Sequence, residues 1–175
     1  MPRELCIGNG RLLLNFDKDL SIRDLYFPHV GLENHVSGYS CKIGVWVDGI
    51  FSWIDESWKK SFGYRGDTLV AETLLKRPDL DLELRVEDSV HPQHDIFLRR
   101  VTVRNGAEED REVRLFFSQD LHIWDTDDGI TAYYDPRIDS LIHYKKDRYF
   151  MIGGSGEGGG LFEFSIAGSD TSRSN

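Results

Sequence analysis

The chain is poor in cysteine and proline, has no long apolar run, and carries no surplus of basic charge. Two cysteines in 175 residues, Cys6 and Cys41, are too few for a disulfide framework or a cysteine-built zinc site. Reduced thiols, and with them a cytoplasmic location, are the expectation. No apolar stretch approaches the ~20 residues of a membrane-spanning helix. The start, Met1-Pro2-Arg3-Glu4, leads into no signal-peptide-like segment. Lys and Arg number 21 against 30 Asp and Glu, for a net charge of −9, and acidic residues are in excess in both halves. Without a basic face to neutralise phosphates, neither nucleic acid nor an anionic membrane is expected as the main partner. Helical periodicity is missing too: residues 55–60 have room for a single turn, and nothing longer repeats at three and four.

What remains is a β pattern on a globular composition, 39% apolar and 12% aromatic, sized for one domain. Residues 80–87 alternate without a break, Leu80, Leu82, Leu84 and Val86 against Asp81, Glu83, Arg85 and Glu87. A period of two puts the aliphatics on one face. In 41–54, Cys41, Ile43, Val45 and Val47 alternate until Asp48-Gly49, after which the apolar run resumes. Asp-Gly in that position predicts a two-residue hairpin, because both turn residues take positive φ. Val101 and Val103, then Asn105-Gly106, then Val113, Leu115 and Phe117 read as a second hairpin with a longer acidic loop. Further strands are read at 12–16, 69–75, 130–134, 141–144, 149–152 and 161–166. Ten or more strands with almost no helix predict an all-β sandwich, and the short connections exclude parallel βαβ units. Its expected core includes Leu82, Leu84, Val86, Val101, Val103, Val113 and Leu115.

No motif establishes a catalytic apparatus. Gly154 to Gly159 fits G-x-G-x-x-G, but the residues after it alternate like a strand where a dinucleotide site needs a helix. Asp125 to Gly129 falls one residue short of a calcium-loop spacing and has no closing glutamate. His91-Pro92-Gln93-His94 offers two imidazoles in a turn, with no third ligand nearby in sequence. Adjacent acids such as Asp17 with Asp19, Asp55 with Glu56, Asp79 with Asp81, and Asp127 with Asp128 are turn residues. Glycoside hydrolysis needs two carboxyls facing each other across a sugar. No metal or cofactor is expected. The aromatic set Trp46, Phe51, Trp53, Trp58, Phe62 and Tyr64 suits core or interface packing, and sugar stacking as the second reading.

A series of short blocks then becomes recognisable. Ile7-Gly8-Asn9-Gly10-Arg11-Leu12-Leu13-Leu14-Asn15-Phe16-Asp17 is followed by Ile22-Arg23-Asp24-Leu25-Tyr26-Phe27-Pro28-His29-Val30-Gly31 and Glu33-Asn34-His35. Gly44 to Gly49, Asp67 to Val70, Asp88 to Pro92, Phe97 to Arg100, Thr131 to Pro136 and His143-Tyr144 continue the order. Together they resemble the N-terminal β domain of prokaryotic glycoside hydrolase family 15 proteins, the glucoamylase and glucodextranase relatives. The resemblance implies a large antiparallel β supersandwich, similar to galactose-mutarotase-like domains. In that family it precedes an (α/α)6 barrel that hydrolyses α-glucosidic bonds with inversion, using two glutamates. Those glutamates map to no residue here, so no catalytic residue is assigned.

The resemblance leads to one β-sandwich domain over residues 1–167, with 168–175 as a polar tail or linker. It implies a non-catalytic domain that packs against and stabilises the barrel of the same polypeptide, with an α-glucan as a further candidate partner. An autonomous carbohydrate-binding module is the rival reading. Tyr26, Phe27, Pro28, His29, Glu33, Asn34, His35, Trp53 and Trp58 are the candidate residues for the domain interface or substrate rim. An uncovered docking face would also promote self-association of the isolated domain.

Overall fold

The computed structural model describes residues 3–38, 41–126, 129–156 and 163–166. It is all-β and antiparallel, with thirteen strands and no α-helix among the described residues. The chain divides into two compact units, Met1–Asp125 and Thr126–Asn175.

Three sheets build the first unit. β1 (Leu5–Gly8), β2 (Leu13–Phe16) and β3 (Ile22–Tyr26) form a meander. β4 (Lys42–Val47) lies between β5 (Ile50–Trp53) and β10 (Val113–Ser118). β6 (Lys59–Tyr64), β7 (Ala71–Arg77), β8 (Leu82–Val90) and β9 (Phe97–Asn105) form the largest sheet, in chain order. The second unit is the meander of β11 (Thr131–Asp135), β12 (Ser140–Lys145) and β13 (Arg148–Gly153).

The alternation in β8 behaves as its pattern requires. Leu82, Leu84 and Val86 are buried, facing Leu75 and Thr73 of β7 in register. Leu80 is buried as well, but it closes a 3₁₀ turn begun by Pro78, and left-handed Asp81 delays the strand to Leu82. The β4–β5 hairpin pairs Val47 with Ile50, and Asp48 and Gly49 both have positive φ.

The second expected hairpin does not form. β9 pairs with β8, whereas β10 leaves for β4 and pairs Val113 with Val47. Arg111 guides that crossing: its guanidinium donates to the carbonyls of Leu80 and Asp81, to Asn105 Oδ1 and to Asp48 Oδ2. β9 and β10 are consequently edge strands, and Val101, Val113 and Leu115 are half-buried while Val103 is exposed. They do not belong to the tightly packed core. Residues 55–58 make a hydrogen-bonded turn, Trp58 N–H to Asp55 O at 3.1 Å, and the chain then continues as β6 rather than as a helix. Residues 163–166 carry no strand. Residues 157–162, the tail 168–175, and Asp127 with Asp128 lie outside the described residues.

Candidate functional site

The segment after β3 is a closed excursion. Tyr26 bridges Asn34, Phe27 N–H donates to Glu33 O, and the Phe27–Pro28 peptide is cis. Asn34 holds its base: Oδ1 accepts the backbone N–H groups of Leu25, Val36 and Ser37, and Nδ2 donates to Asp24 Oδ1 at 3.0 Å. His35 is fully buried beneath it. Its Nε2 donates to Phe27 O at 2.6 Å, and Nδ1 accepts the Trp124 N–H at 3.2 Å, a pattern that selects the neutral Nε2–H tautomer. His35 and Asn34 are therefore positioning residues. His29, Val30 and Leu32 stand exposed on the crest, with His29 Nε2 4.0 Å from Glu33 Oε1.

Asp24 anchors the same base from inside. Burial pushes its carboxyl up, but hydrogen bonds from Arg3, Asn15 and Asn34 outweigh that, and the net direction is below the ordinary carboxylate range.

Two further loops join the excursion. Asn9 accepts the Arg11 and Leu12 N–H groups through Oδ1 and donates through Nδ2 to the carbonyls of His91 and His94, both at 3.0 Å. Arg11 pairs with Asp95 at 3.2 Å and places its guanidinium over the Phe27 ring, 5.9 Å from its centre. Residues 8–12, 27–34 and 91–96 thus form one loop cluster. The His91 Nδ1 accepts the Gln93 and His94 N–H groups, which makes it a turn residue. Among the described residues no group of three or more His, Cys, Asp or Glu is placed to hold a metal ion. The Arg11–Asp95 pair spans 84 positions, so nothing local in the sequence reveals it.

The two tryptophans lie elsewhere. Trp53 stands half-exposed on β5, paired with Gly44 of β4, in a different sheet from β3. Trp58 is only 2% exposed, its indole N–H donating to Ser52 Oγ at 3.2 Å. The turn at Asp55 directs it into the core, so it is not available to a rim.

Among the described residues, the buried acids are all engaged. Asp17 caps the Asp19 and Ser21 N–H groups, Asp88 takes a bidentate pair from Arg99 at 2.7 and 2.8 Å, and Asp135 is paired with Arg137. The Arg137 hydrogen bonds hold the Asp135 carboxyl down at about 2. Asp24, Asp55, Asp79, Glu83 and Asp135 are each held below the ordinary carboxylate range by the hydrogen bonds they accept.

No family model matches the chain, and no solved structure matches it. Among curated proteins it is similar to an uncharacterized glycosyl hydrolase of Methanocaldococcus jannaschii, with 27% identity over 117 residues. That stretch is 67% of this chain and only 18% of the relative's length. The similarity supports a glycosyl hydrolase-related domain, here an antiparallel β structure.

Proposed function

We propose that this chain is the non-catalytic N-terminal β domain of a family-15-like, glucoamylase-type α-glucosidase. It packs against and stabilises an (α/α)6 barrel of the same polypeptide, and the excursion after β3 faces that barrel near the rim of its substrate cleft. One observation carries the reading: residues that bear the family resemblance, Asn9, Arg11, Phe27, Asn34, His35 and His91, are those that tie three loops into one cluster. Such a cluster presents a preorganised surface on a rigid β frame.

Glucose-release assays on maltose, isomaltose and trehalose test it. The 175-residue chain should release none, and the reading frame extended past residue 175 should be active. Glucose release by this chain, abolished by a single carboxylate substitution, would overturn the proposal.

A further inference from the structure

Asn9 and Asn105 are the asparagines that precede glycine in this chain. The dipeptide carries a latent reaction, because the glycine nitrogen has no side chain beside it to hinder attack on the asparagine carboxamide. The fold holds the two pairs differently.

At both sites the carboxamide oxygen is already polarised. Asn9 Oδ1 accepts the Arg11 and Leu12 N–H groups at 3.0 and 2.9 Å. Asn105 Oδ1 accepts the Ala107 N–H at 3.1 Å and the Arg111 guanidinium. Donors at such distances stabilise the oxyanion that forms when the carboxamide carbon is attacked. The nucleophiles separate the two sites. Gly106 N–H donates to Asp81 O at 2.7 Å, which engages its nitrogen in closing the end of the β8–β9 ladder. Gly10 stands exposed at φ +92°, and among the described residues no group accepts its N–H. A Cβ built on Gly10 would meet nothing within 4 Å, so water reaches this flank of the turn.

We propose that Asn9 is a modification site at which the folded chain deamidates with water as co-reactant, and that Asn105 is shielded from the same reaction. Hydroxide removes the Gly10 amide proton, and the nitrogen bonds to Asn9 Cγ. The Cγ–Nδ2 bond breaks, and Nδ2 takes a proton from water, restoring hydroxide, and leaves as ammonia. Water then opens the cyclic imide to aspartate or isoaspartate. In sum, an amide and a water become a carboxylic acid and ammonia.

The consequence falls on the loop cluster. Asn9 Nδ2 donates to the carbonyls of His91 and His94, both at 3.0 Å. A carboxylate has no donor and turns a negative oxygen toward two carbonyl oxygens. Conversion therefore unties residues 8–12 from residues 91–96, whatever surface the cluster faces.

Peptide mapping of the 175-residue chain, aged folded at mildly alkaline pH and in parallel in urea, provides the test. In the folded chain, aspartate and isoaspartate should accumulate at residue 9 about tenfold faster than at residue 105, where the Gly106 hydrogen bond must first break. In urea the two rates should converge. Equal or slower conversion at residue 9 in the folded chain overturns the proposal. A difference that persists in urea also overturns it, since local sequence rather than the fold would then be the cause. Asn9→Asp should move the NMR signals of residues 91–96 and leave Leu84 and Val86 in place. Unmoved signals at 91–96 overturn the consequence drawn for the cluster. Should that variant fail to fold, the aged unsubstituted chain supplies the same reading.

Discussion

Asn34 illustrates how one side chain can set a loop. Three backbone N–H groups converge on its Oδ1, and its Nδ2 donates to a buried carboxylate. Asn34→Asp keeps the shape and the acceptor but turns the donor toward Asp24 into an opposing charge. The variant should lose about 1–3 kcal/mol at neutral pH. The loss should shrink as acid protonates one carboxyl of the pair. Urea denaturation at pH 7 and pH 4 checks this, and a penalty that does not change with pH would show that Asp24 does not sense residue 34.

At the scale of elements, the two hairpin signals met different fates. Asp48-Gly49 joins its strands because both residues take the left-handed backbone a two-residue turn demands. Gly49→Ala, at φ +82°, should therefore cost about 1–2 kcal/mol. A stability unchanged within the error of chemical denaturation would speak against the tight turn. In β8, Leu84 is 1% exposed, and Leu84→Ala should cost about 2–5 kcal/mol in the same assay. Loss below that range would place the residue at a site able to collapse around the cavity. Asn105-Gly106 has the same turn chemistry as Asp48-Gly49, yet its strands part. The difference lies in Arg111, whose bonds to residues 31 and 63 positions away direct β10 to another sheet.

Across the whole molecule, two groups lose their contributions in acid over different pH ranges, His143 in the second unit and Asp24 in the first. Burial holds the His143 imidazole below its ordinary value of 6.5, so the fold favours its neutral form. Its contribution is full above pH 6.5 and drains as the pH falls from there toward the lower folded value. Asp24 in the first unit is depressed below 3.8, so its contribution is full above pH 3.8 and is lost only at more acid pH. All four tryptophans precede residue 126, so indole fluorescence reports the first unit alone. An NMR-monitored titration should show the second unit loosening as the pH falls below 6.5. If His143→Gln left that acid sensitivity in place, the buried imidazole would not be its cause.

Strand alternation, the Asp-Gly turn and the absence of helical spacing were enough to define an antiparallel all-β chain, because side-chain direction along a strand depends only on local geometry. The loop after β3 was legible as an irregular segment rich in aromatics and histidines. Its internal bonds were not, since Arg11–Asp95 and His35–Trp124 join positions 84 and 89 residues apart. The tryptophans make the same point in one residue type. Trp53 and Trp58 lie in similar sequence surroundings, but the turn at Asp55 buries one and the register on Gly44 leaves the other half-exposed. Local pattern determined which residues form strands. Only the tertiary structure decided which strands share a sheet and which rings meet water, because pairing partners and burial depend on contacts between distant parts of the chain.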